Sequence, residues 1–67
     1  MIRSSFDKWI RRGEAIRSHR CVNYAKMGLA AWAQGRDLDA FAYLAKAKQE
    51  YFIDNEELLI MLSEFIF

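Results

Sequence analysis

The sequence predicts an all-α domain: a compact bundle of three or four short helices built around an antiparallel αα-hairpin. Three observations lead there. Proline is absent, and glycine occurs only at positions 13, 28 and 35. Alanine, leucine, lysine, arginine and glutamate dominate, and all of them favour helix. No segment alternates apolar and polar residues with period 2 for long enough to make a strand. The expected helices span about residues 5–17, 20–34, 38–51 and 55–66 of a single domain, 1–67, and the first two are readable as one long bent helix.

The first helix is expected to start after Ser4, which can cap free amides, with Asp7 three residues on as a weak capping box. Phe6, Trp9, Ile10, Gly13 and Ile16 then form one stripe at helical spacing, and Lys8, Arg11 and Arg12 fall on the opposite face. A straight continuation would put Arg17 and Arg20 on the apolar stripe. The stripe instead restarts, displaced, as Cys21, Val22, Ala25, Gly28, Leu29 and Trp32. Two readings fit: a turn at Ser18-His19-Arg20, or one long helix meeting different neighbours along its length. The turn is the preferred one.

The next boundary is sharper. Gly35 suits the left-handed position that ends a helix, and Asp37 suits the following N-cap. So short a link implies an antiparallel pair. On the third helix Phe41, Leu44, Ala45 and Phe52 lie near one face, and Ala40, Ala47 and Tyr51 widen it. Ala40 and Ala47 allow close approach to Gly28 and Ala31. The last boundary rests on Asp54 and Glu57, an Asp-x-x-Glu capping box with three acids in the first turn, where the helix dipole favours them. The segment that follows, Leu58 to Phe67, is apolar on almost every side and calls for burial on several sides.

Residues 21–54 resemble one tetratricopeptide-type helical hairpin. Tyr24, Met27 and Gly28 stand at the pattern's aromatic, large apolar and glycine positions. Ala40 and Leu44 stand at the alanine and apolar positions of its second helix, and Gly35 and Ala47 where small residues are preferred. Ala31 replaces the usual large aromatic, and Phe52 stands where a proline commonly ends the unit. The resemblance implies a closely packed helix pair. An array that forms a peptide groove needs about three such units, and there is one here.

Sixty-seven residues form one domain with a marginal core, burying only about 60% of the unfolded surface. Small domains usually compensate with disulfides, a metal or a partner subunit. One cysteine, Cys21, and one histidine, His19, exclude an internal disulfide and a four-ligand Cys/His zinc site. With glycine counted, about 58% of the chain is apolar, above the roughly 45–50% of ordinary soluble domains. Self-association or a protein partner is therefore expected. With no signal-peptide pattern, no membrane-length apolar run and an unpaired cysteine, a soluble cytoplasmic protein is expected, with no membrane partner.

The charge is divided along the chain. Residues 1–26 carry seven bases against two acids, and residues 27–67 carry seven acids against three bases. Asp37, Asp39, Asp54, Glu56 and Glu57 all fall at expected helix starts, where dipoles favour anions, so no metal site is expected from them. The cations have no such local explanation, and Lys8, Arg11, Arg12, Arg17 and Arg20 are the candidate nucleic-acid or anion contacts. His19 lies among arginines with no second catalytic group implied by spacing. Cys21 lies where the apolar stripe restarts, so a buried structural thiol is preferred over a nucleophile. No cofactor, catalytic residue or small-molecule substrate is implied.

The leading expectation is a small non-enzymatic interaction or regulatory module, acting as a homodimer or docked on a partner. Trp9, Trp32, Met61, Phe65 and Phe67 are the candidate interface residues. Size and style alone associate it with the small regulators of phages and mobile elements. The alternative is a small nucleic-acid-binding protein using the basic N-terminal segment.

Overall fold

A computed structural model describes the backbone of residues 2–66 and the side-chain surroundings of residues 3–64. The described residues form three helices, α1 (Ile2–Ala15), α2 (His19–Ala33) and α3 (Asp37–Ile66), in an all-α fold. Phe65 and Phe67, two of the expected interface residues, have side chains outside the described set.

The break between the first two helices is a turn, one or two residues earlier than expected. α1 ends at Ala15 with two bonds that close its last carbonyls: the Ser18 amide donates to the Gly13 carbonyl at 2.8 Å, and the Arg17 amide to that of Glu14 at 3.1 Å. This is a Schellman ending, and it requires a left-handed residue at its hinge. That residue is Arg17, with φ of 57°. Ser18 then adopts an extended backbone and caps α2, its hydroxyl oxygen accepting from the Cys21 amide at 3.3 Å. α2 ends in the same way. The Arg36 amide donates to Ala31 at 2.9 Å and the Gly35 amide to Trp32 at 3.0 Å, with Gly35 at φ 77° as expected. Ser4, expected as the N-cap of the first helix, lies inside α1, which is already helical at Ile2.

The expected break near residues 52–54 is absent, and α3 runs unbroken for 30 residues. Nothing from Phe52 to Leu58 is a glycine or proline, and extending an existing helix is far easier than nucleating a new one. The Asp54 carboxylate, expected to cap a new helix, instead accepts a hydrogen bond from the Ser18 hydroxyl, 36 residues away in sequence.

The three helices pack in antiparallel succession, as their contacts fix. A Cβ on Gly28 of α2 would meet the Phe6 ring of α1 at 2.6 Å and the Ala40 carbonyl of α3 at 3.2 Å. Near the other end of α2, a Cβ on Gly13 would meet Val22 at 2.9 Å and the Cys21 sulfur at 3.0 Å. Small residues thus let the backbones close around Phe6, which is fully buried with Cys21, Ala25, Ala40 and Ala47. The buried face of α3 is Ala40, Leu44 and Ala47, with Tyr51 packed beside it; Phe41, Ala45 and Phe52, expected on that face, are exposed. Helix packing follows the small residues because they permit the shortest interaxial distance.

Candidate protein-docking surface

α1 and α2, with 14 and 15 residues, are half the length of α3. At 1.5 Å per residue α3 is about 45 Å long, which accounts for a molecule measuring 49 × 17 × 16 Å. The Ser18–Asp54 bond marks where the α1–α2 turn meets α3. Residues 55–66, about 18 Å of helix, project beyond it.

The face of α3 turned to the core is spaced 4, 3, 4, 3: Ala40, Leu44, Ala47, Tyr51, Asp54. The same spacing continues as Leu58 and Met61, with Leu62 one turn after Leu58. Up to Asp54 this stripe is covered. Beyond it, Leu58 is half-buried, while Met61 and Leu62 are 53% and 48% exposed. The other sides of the projecting segment expose Leu59 and Ile60. The accessible surface is 5114 Å², about 700 Å² more than the ~4,400 Å² of a compact 7.9 kDa monomer. The radius of gyration, 13.3 Å, also exceeds the ~11 Å of a compact chain of this length.

The expected interface residues therefore divide. Met61 lies on the projecting stripe. Trp9 of α1 lies in the core of the three-helix bundle, 7% exposed, its ring edge-on to Tyr51 at 5.3 Å and to Phe52 at 6.1 Å. The Arg12 guanidinium at 4.9 Å and the Lys48 ammonium at 5.7 Å lie over the same ring. Trp32 is half-buried against the core. Leu58 and Leu62 were not among the residues singled out from the sequence; the signal that finds them is the 4-3 spacing counted onward from Ala40.

The expected anion contacts also divide. All five are exposed. Lys8, Arg11 and Arg12 line a shallow groove on α1 with Ser4 and Asp7. Arg17 and Arg20 lie elsewhere, at the α1–α2 turn, where with His19 they line a cleft against Glu50, Ile53, Asp54 and Glu57 of α3. Among the described residues the one ion pair is Arg36–Asp39, at 2.8 Å, so Arg17 and Arg20 pair with no described carboxylate.

Cys21 is sealed in the core, and its sulfur donates to the Trp9 carbonyl at 3.5 Å. Burial pushes its thiol up from 9.0, and the carboxylates of Asp54 and then Glu50 add to the effect. The neighbouring arginines, which could have favoured a thiolate, do not prevail, because they point to solvent while the sulfur points to the core. His19 is exposed at the head of α2. Among the described residues no three His, Cys, Asp or Glu side chains are grouped to hold a metal ion, and no helix is long and apolar enough to cross a membrane.

No protein-family model, curated protein or solved structure matches the chain. The close packing of Gly28 and Ala40 is what the tetratricopeptide-like spacing implies for a helix pair. The second helix of that pair runs on well past the unit's length.

Proposed function

We propose that this chain is a non-enzymatic interaction or regulatory module that docks the projecting segment of α3, residues 55–66, on another polypeptide. The observation that carries the reading is the 4-3 stripe of α3, covered as far as Asp54 and then left exposed at Met61 and Leu62. A helix that lays residues at i, i+3 and i+4 on a partner is a recurrent recognition mode, and Leu58, Met61 and Leu62 supply that spacing. Catalysis has less support: the one thiol is sealed in the core and held towards its protonated form, and the one histidine stands exposed at a helix start.

The test is capture from an extract of the native cell by the immobilised chain, compared with a Leu58→Ser/Leu62→Ser variant. Both substitutions lie beyond the hairpin and leave its core intact. The native chain should retain a defined set of proteins that the variant loses. Equal capture by both would remove the segment from consideration.

A second reading, nucleic-acid binding, is favoured by the groove where Lys8, Arg11 and Arg12 lie side by side. Phosphate contacts are strongest at low salt and weaken steeply as salt rises. A retardation assay over a salt series should then show binding that falls with salt and with Lys8→Ala/Arg11→Ala substitution. No shift even at the lowest salt would dispose of it.

A further inference from the structure

We infer that the polypeptide covering the projecting segment is a second copy of this chain, laid antiparallel so that each copy's segment ends against the other's α1–α2 turn. The inference rests on the reading of residues 55–66 as the docking surface and names its occupant.

Charge complementarity fixes the occupant and the direction. The segment from Asp54 to Glu64 holds four acids, Asp54, Glu56, Glu57 and Glu64, and no base. Side by side in parallel, two such segments would set acid against acid at both ends, with no base between them. Antiparallel, the far end of each reaches the base of the other, where Arg17, His19 and Arg20 are exposed and Arg17 and Arg20 lack a described ion-pair partner. The flank also matches. Arg17 and Arg20 share a cleft with Glu57, and Glu64, two helical turns beyond Glu57, lies on the same side of α3. A two-fold axis normal to a pair of antiparallel helices keeps that flank on one side of both copies. Glu64 of each copy therefore comes to the arginines of the other. Without those arginines, Glu57 and Glu64 of facing copies would repel.

Space and area agree. The stripe of Leu58, Met61 and Leu62 faces the volume beyond the turn, where the layer made by α1 and α2 stops, and one helix of a second copy continues that layer. Covering the surface excess of both copies would bury about 1,400 Å², within the ~1,200–2,000 Å² of specific, stable interfaces.

Sedimentation equilibrium of the intact chain from about 1 µM to about 1 mM, near the range such interfaces span, should give a monomer–dimer equilibrium. Two charge variants separate this arrangement from any other dimer. Arg17→Glu/Arg20→Glu and Glu57→Lys/Glu64→Lys should each weaken self-association at least tenfold, because like charges meet at both ends. Mixed in equal amounts they should form a heterodimer of much higher affinity than either variant's homodimer, since every contact between the two copies is again between opposite charges. Restoration in the mixture also shows that both variants fold.

A monomer at the highest concentration would overturn the inference. So would a dimer that ignores the charge variants, or one lost on Leu38→Ser, on the opposite, exposed face of α3, and kept on Leu62→Ser. If the chain is monomeric while extract capture still depends on Leu58 and Leu62, the segment serves a different protein and the proposed function stands. If the monomer instead co-sediments with phosphatidylcholine vesicles, its occupant is a lipid surface and both readings fail.

Discussion

Arg17 holds a backbone conformation that costs a residue with a side chain about 1 kcal/mol. It does so at φ 57° because the Schellman ending of α1 needs a left-handed residue there. The equivalent hinge after α2 is filled by Gly35, and a Cβ there would meet nothing within 4 Å. Arg17→Gly should therefore stabilise the hairpin by about 0.5–1 kcal/mol, the gain reduced by the greater freedom of glycine in the unfolded chain. Thermal unfolding at low protein concentration checks it, as a rise of a few degrees in Tm. An arginine kept at a strained hinge is consistent with a use for its charge. Cys21 gives a second prediction. Its folded thiol titrates above its unfolded value of 9.0. The stabilisation from keeping it protonated is complete below that value and is lost as pH rises through the folded one. Tm should fall above about pH 9, and more steeply than in Cys21→Ala, which removes this titration.

At the scale of elements, Ser18 joins all three helices. It follows α1, caps α2 and donates to Asp54 of α3, and it is 3% exposed. Ser18→Ala removes the cap and the cross-link together and should cost about 1–2 kcal/mol, measured by urea unfolding. Asp54→Ala leaves the cap in place and should cost less. The same pair of residues explains what the sequence disclosed of the helices. The end of α2 was readable because glycine at position 35 acts on its own neighbours, and the start of α3 to within one residue, since Asp37, expected as its N-cap, is its first helical residue. The end of α1 was readable to within two residues, because the apolar stripe changes side there even though arginine is a poor hinge residue. The run of α3 through Asp54 was not readable. An aspartate followed three residues later by a glutamate has the same local form whether it starts a helix or reaches sideways to a serine 36 positions earlier. Trp9 was read both ways, as stripe and as interface, and its burial depends on Tyr51, Phe52, Arg12 and Lys48 arriving from two helices. Met61 was recognisable by its apolar surroundings. Which side of it lacks a partner depends on where α1 and α2 stop.

At the scale of the whole molecule, the chain combines a packed hairpin with a helix end that its own fold leaves bare. Stability should be unequal between the two, since residues 55–64 are mostly exposed and an isolated helix as short as the projecting segment is marginal in water. The chain carries a natural pair of probes for this. Both tryptophans, Trp9 and Trp32, lie in the packed three-helix part, one buried and one half-buried against the core. Tryptophan fluorescence therefore follows that part alone, whereas far-ultraviolet circular dichroism follows every helical residue. The projecting segment holds about a fifth of those residues. At micromolar concentration, heating should remove roughly that fraction of the dichroism before the fluorescence transition begins. Raising the concentration should bring the two curves together if covering the segment is what orders it. Coincident curves at the lowest concentration would show instead that the segment is held by the hairpin itself, and the case for a bare docking helix would fall with it.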